Sequence, residues 1–175
     1  MILYLCRHGI AEEGGGKMRD EERALTGEGI RKFKKGARGF ARHLVEGGEG
    51  MERGEMVILT SPLVRARETA GILQEAMEKE LGRSVQLRET PTLAPPGRLE
   101  GLLAELRELH EMSGVVAVGH EPYLGAWIGE LCFRGEGFCE LKKGGMAAIE
   151  LDERGRTGKL RWLVTGGMLK ELGEK

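Results

Sequence analysis

Cysteine is scarce in this sequence. Cys6, Cys132 and Cys139 are odd in number and form no Cys-x-x-Cys pair, which argues against a zinc site or a disulfide framework and fits a reduced, cytoplasmic setting. Neither sign of charge is in excess. The 27 Lys and Arg against 28 Asp and Glu leave a formal net charge of −1, so the global balance calls for neither nucleic acid nor an anionic membrane surface. No apolar run reaches membrane-spanning length, and the segment Met1 to Cys6, with no basic residue ahead of it, is too short for a signal peptide. Low complexity is also excluded, because 29 glycines and 5 prolines in 175 residues stay below the roughly 25–30% that marks such chains.

What remains is a globular composition, 40% hydrophobic and 31% charged, at a length that predicts one domain over residues 1–175. A chain of this size buries about 70% of its unfolded surface and needs no metal staple. Ile2 to Cys6 is a continuous apolar run of strand length, as expected for a strand covered on both faces. After a polar loop containing Gly14-Gly15-Gly16, which reads as a hinge or a slack connection, Thr26 caps a predicted helix. Ile30, Phe33, Ala37, Phe40 and Leu44 form its buried face, and Gly47-Gly48-Glu49-Gly50 ends it. Arg31, Lys32, Lys34, Lys35, Arg38 and Arg42 cover its outside as a solvated face or an acidic partner's docking surface.

Met56 to Leu59 predicts a second strand, followed by a helix with Ser61 as cap and Pro62 as first residue. Val85 to Arg88 is a short strand candidate, Leu99 to Leu109 a helix, and Val115 to Val118 a buried strand. Pro122 opens another helix, and Met146 to Leu151 with Lys159 to Val164 reads as a hairpin at the sheet edge. The order predicts an α/β three-layer sandwich with a mostly parallel central sheet and an antiparallel edge strand.

In open α/β sheets ligands bind beyond the carboxyl ends of the strands. Three strand-like runs here end in Arg7-His8, in Ser61 with Arg65, and in Gly119-His120. Two histidines and two arginines at one edge suit a phosphoryl group, whose oxygens match guanidinium forks. Among cations a histidine favours its neutral form, which leaves a ring nitrogen able to attack phosphorus. The same arginines repel a metal cation, and no ligand pair stands at helical spacing, so neither metal nor cofactor is expected.

Arg7-His8-Gly9, Ser61-Pro62 with Arg65-Ala66 and Thr69, and Gly119-His120, in this order, resemble the histidine phosphatase superfamily. Within it, the short length, Arg23-Ala24-Leu25-Thr26, Leu93 to Gly97 and His120-Glu121-Pro122 resemble the SixA-type phosphohistidine phosphatases. The resemblance runs from residue 2 to about residue 130 and implies a phosphoglycerate-mutase-like fold. It implies that His8 is the nucleophile, that Arg7, Arg65 and His120 hold the phosphoryl oxygens, and that Arg23, or Arg19 of the same loop, adds a further ligand. Gly9 and Ser61 are the adjoining candidate substrate-binding positions.

Phosphoester-cleaving relatives place a glutamate, as general acid, where this chain has Pro95. A phosphorylated imidazole is a better leaving group than an alkoxide and depends less on that proton, so the substitution favours a protein phosphohistidine over a small phosphate ester. Larger relatives also roof the pocket with inserted helices, for which this chain has little room. Two alternatives remain open: a broad phosphomonoesterase using Glu89, Glu100 or Glu121 as acid, and a phosphoprotein-binding module without turnover.

Overall fold

The computed structural model describes residues 1–15, 18–46, 54–135 and 139–174. Gly16 and residues 47–50, where the sequence predicts part of a hinge and the end of the first helix, lie outside the described residues. Strand β1 (Ile2–Arg7) leads through a long loop into α1 (Gly27–Glu46). Then follow β2 (Met56–Thr60), α2 (Val64–Leu81), β3 (Gln86–Glu89), α3 (Leu99–Glu108), β4 (Gly114–Gly119), α4 (Tyr123–Phe133), β5 (Met146–Leu151), β6 (Gly158–Val164) and α5 (Gly166–Gly173). One six-stranded sheet runs in the order β3-β2-β4-β1-β5-β6. The pairs β3/β2, β2/β4 and β4/β1 are parallel, and the β5–β6 hairpin closes the far edge through antiparallel pairings.

Strand β1 shows why the sheet is covered on both faces. Tyr4 and Cys6 are buried among residues of α1, α2 and α5, whereas Leu3 and Leu5, pointing the other way, are buried among residues of α3 and α4. Helices on two faces of one sheet make the three layers predicted from the sequence.

Two details of the helices differ from the sequence reading. Helix α2 begins at Val64, and Leu63, not Ser61, occupies its cap position. The Ser61 hydroxyl instead accepts the Leu63 N–H at 3.3 Å, which shapes the turn ahead of the helix. Helix α5 has no counterpart in the sequence reading. Only Leu169 of it is buried, too sparse a pattern for periodicity to register, although Thr165 accepts the Met168 N–H as a cap. It explains Gly39 in α1: a Cβ there would overlap the Leu169 carbonyl, so glycine lets the two helices close.

Candidate active site

Register brings three strand ends level. Arg7 pairs with Gly119 and Thr60 with Val118 across adjacent parallel strands, with β4 between β1 and β2. Backbone bonds continue that alignment past the sheet, from His8 N–H to the Gly119 carbonyl (3.2 Å) and from Ser61 N–H to the Val118 carbonyl (3.0 Å). His8 and His120 therefore face each other with ring centroids 5.1 Å apart, at 7% and 3% exposure. Arg65, 4% exposed, enters from the first turn of α2.

The His8 tautomer is selected by its neighbour. His8 Nδ1 lies 2.8 Å from the Gly9 carbonyl, which can only accept, so Nδ1 carries the proton and Nε2 presents a lone pair. His120 Nε2 lies 2.9 Å from the Ser61 hydroxyl, while its buried Nδ1 has no protein partner. The hydroxyl can donate as well as accept, and when it donates to Nε2 the His120 proton sits on Nδ1, where it is a donor for a ligand. Gly9 N–H donates to Thr69 Oγ1 (3.0 Å), whose hydroxyl donates to the Arg65 carbonyl (2.7 Å). Thr69 thus ties the residue after His8 to the helix that carries Arg65, a role that its spacing four residues beyond Arg65 could have suggested.

Arg7 is anchored by Nη1 on the Leu141 carbonyl (2.7 Å), with Glu140 at 3.6 Å. Among the described residues five buried side-chain polar atoms lack a hydrogen-bond partner, and three of them, Arg7 Nε, Arg65 Nε and His120 Nδ1, belong to this cluster. Unsatisfied buried donors are costly and uncommon. Their concentration on the residues that flank the His8 lone pair marks a site suited to an acceptor-rich anion.

Electrostatics keep both rings neutral. Burial pushes the His8 pKa down to about 4, with the charges of Arg65, Arg7 and Lys143 acting in the same direction against the hydrogen bond to Gly9. Burial likewise lowers His120 to about 3, helped by His8, Arg65 and Arg23 and opposed by Asp20. A lowered imidazole pKa extends the neutral, nucleophilic form toward acid, so competence is retained above the folded value and lost below it. Titration followed by nitrogen NMR should find His8 and His120 neutral from pH 8 to about 5; a His8 midpoint near its ordinary value of 6.5 would contradict this.

The loop after β1 divides its two candidate arginines. Arg19 is exposed and paired with Glu22 at 2.7 Å, and its hydrogen bonds and ion pairs go to residues of its own loop. Arg23 donates from Nε to Asp20 Oδ1 at 2.9 Å and from Nη1 to the Glu12 carbonyl at 3.0 Å. Asp20, which the sequence reading missed, is the link to the cluster: its Oδ2 accepts from Arg65 Nη2 at 2.9 Å and its carbonyl from Nη1 at 2.6 Å. Desolvation raises the Asp20 pKa, but hydrogen bonds and charge from Arg65 and Arg23 outweigh it and hold the carboxyl below its usual value.

The glutamates considered as proton donors are placed elsewhere. Glu121 accepts the backbone N–H groups of Leu141 (2.8 Å) and Gly125 (3.3 Å), Glu89 lies 3.7 Å from Arg67, and Glu100 sits exposed in the first turn of α3. Among the described residues, no group of three or more His, Cys, Asp or Glu side chains could hold a metal ion, and no helix is long and apolar enough to cross a membrane.

Known proteins share this fold. The model of the histidine phosphatase superfamily (branch 1) matches residues 3–111. An uncharacterized protein of Picosynechococcus sp. is 39% identical over 152 residues, covering 85% of this chain and 84% of the relative. The structure of the protein histidine phosphatase SixA complexed with tungstate superposes with a TM-score of 0.78 at 24% identity, covering 97% and 99% of the two chains. Alpha-ribazole phosphatase from Shigella flexneri gives 0.65 at 18% identity (95% and 97%), and phosphoglycerate mutase from Bacillus anthracis 0.67 at 13% (99% and 96%). These structural likenesses establish a phosphoglycerate-mutase-like fold across chains that act on different phosphates, and the matched family model, spanning more than half of the sequence, places this chain in the histidine phosphatase superfamily.

Proposed function

We propose that residues 1–175 form one phosphatase domain that hydrolyses protein phosphohistidine without a metal ion, through a phosphorylated His8. His8 Nε2 attacks phosphorus in line. The new P–N bond forms as the substrate's P–N bond breaks, and the departing imidazole keeps the electron pair and takes its proton from solvent. Water then attacks the phosphorylated His8, the P–Nε2 bond breaks, and orthophosphate leaves with the neutral ring restored. Arg7, Arg65 and His120 Nδ1–H hold the oxygens over which charge spreads, and Arg23 of the neighbouring loop adds a further cation. Gly9 orients the nucleophile through its carbonyl, and Ser61 donates to His120 Nε2 when Nδ1–H holds the phosphoryl group.

The observation that carries this reading is the His8 ring, whose Nδ1 is committed to the Gly9 carbonyl at 2.8 Å. Nε2 is thereby left as the free nitrogen among cations with unsatisfied donors. The choice of phosphohistidine follows from the supply of protons. Pro95 stands where ester-cleaving relatives carry their acid, the Glu121 carboxylate is occupied by two backbone donors, and Asp20 is held ionised by its arginines. A site without a proton donor favours the leaving group that needs one least.

The test compares phosphate release from a phosphohistidine-bearing protein and from an alkyl phosphate at equal concentration, with chelator present. The phosphohistidine should be released at least about 100-fold faster, the size of a general-acid contribution. Equal rates, or a rate that chelator removes, would overturn the substrate or the metal-free part of the reading.

A further inference from the structure

A second feature adjoins the nucleophile. A cavity of about 360 Å³ opens beside Gly9 and is lined by Lys32 of α1, Lys143 of the turn before β5 and Lys170 of α5, with Phe33 on its apolar wall and no Asp or Glu among its lining residues. The lysines sit on fixed elements. Gly144, at φ +71°, turns the chain so that its N–H reaches the Arg7 and His8 carbonyls at 3.1 Å each, stapling Lys143 to the backbone of the nucleophile. Lys170 is set by the close α1–α5 crossing at Gly39, and Lys32 by the Thr26 cap, which accepts the Gly29 N–H at 2.9 Å.

Lys32 and Lys170 have exposed carboxylate neighbours, Glu28 at 2.5 Å and Glu174 at 3.7 Å. Lys143 makes no ion pair with another described residue, and its charge reaches His8. Three ammonium groups from three elements, gathered around a partly apolar cavity that begins one residue beyond His8, match an anionic group joined to the phosphorylated residue by a short flexible stem.

We propose that this cavity is a specificity subsite that receives an acidic side chain, Asp or Glu, lying within about three residues of the phosphohistidine in a protein substrate, a separation of roughly 10 Å of extended chain. This rests on the phosphohistidine reading above and adds a sequence preference to it. The methylene stem of the acidic residue packs on Phe33 while its carboxylate meets the lysines. Because the attraction is between partly solvated charges, the preference weakens as salt rises.

The experiment uses two synthetic phosphohistidine peptides that differ only in having Glu or Gln at the flanking positions. The wild-type protein should show kcat/KM about tenfold higher for the Glu peptide, mostly through KM. That ratio should fall toward one in a K143Q/K170Q variant and at 0.5 M salt. A wild-type ratio near one, or a ratio that survives in the folded double variant, overturns the subsite. If neither peptide is hydrolysed, the phosphohistidine reading has failed. The subsite is then decided by equilibrium binding of the unphosphorylated Glu and Gln peptides: tighter binding of the Glu peptide by wild type, lost in K143Q/K170Q, supports it, and equal binding overturns it.

Discussion

His8→Ala should lower phosphate release by a factor on the order of 10⁴ to 10⁶, the loss seen when a covalent nucleophile is removed and only binding and electrostatic stabilisation remain. The variant should nevertheless fold, because the backbone bond from His8 N–H to the Gly119 carbonyl and the strand register do not involve the ring. It should also still bind orthophosphate or tungstate, since Arg7, Arg65 and His120 keep their donors. Calorimetric titration beside steady-state turnover checks both halves. A variant that binds the anion but retains a tenth of the rate would remove His8 from the chemistry. One that loses binding as well would make the imidazole a ligand rather than a nucleophile.

Substitutions at the two ends of the Arg65–Asp20 contact should act with opposite sign. Arg65 is almost wholly buried, and both of its terminal nitrogens are engaged by Asp20. Arg65→Ala removes the guanidinium fork from the pocket and should cost about 10² to 10³ in kcat/KM, the usual loss for a donor aimed at developing charge. Arg65→Lys should recover little of it, because a single ammonium does not reproduce two parallel donors. Asp20 contributes a carboxylate to that same fork, in the role a phosphoryl oxygen has to take. Asp20→Asn should therefore tighten orthophosphate binding, by about three- to tenfold given that the contact is solvent-exposed on the Asp20 side.

The two changes should not be additive. In the Arg65→Ala background the Asp20→Asn gain should vanish, since its mechanism is release of Arg65. A gain that persists without Arg65 would trace the effect to the general loss of negative charge in the loop. A loss of affinity in Asp20→Asn alone would make Asp20 a residue that positions Arg65 and Arg23 for the anion. Competition titrations against tungstate for the four proteins separate these outcomes.

The parts legible in the sequence were those fixed by short-range pattern. Apolar runs marked β1, β2 and β4, and each was followed at once by the residue that matters: Arg7-His8, Ser61 and His120. Parallel pairing with no offset then brings these ends level, so the rule that ligands bind beyond strand ends sufficed to gather the cluster. Periodicity also marked Phe33, Ala37, Phe40 and Leu44 on the buried face of α1, whereas Ile30 is only half-buried.

What escaped the sequence depends on contacts between distant segments. Nothing local tells Asp20 to lie on Arg65, 45 positions away, nor tells Arg19 to pair with Glu22 while Arg23, four residues on, faces Asp20. Glu121 is a plausible acid by position and proves to be a backbone anchor because Leu141 and Gly125 present their N–H groups to it. Lys143 is brought near His8 only because a glycine-dependent turn folds back onto the end of β1. Ser61 had a cap's sequence signature, but the turn at Leu63 defers the helix and leaves its hydroxyl for His120.

Trapping the phosphorylated intermediate distinguishes a covalent step on His8 from direct hydrolysis. The protein is mixed with a protein labelled on its phosphohistidine, in the presence of chelator. The reaction is quenched in alkali within milliseconds to seconds, and peptides are read by mass spectrometry. A transient phosphoryl group should appear on the peptide containing His8, attached at Nε2, rising before orthophosphate appears and absent from His8→Ala. Steady release of orthophosphate with no phosphoryl group passing through His8, or with the label on any other residue, would contradict the covalent step.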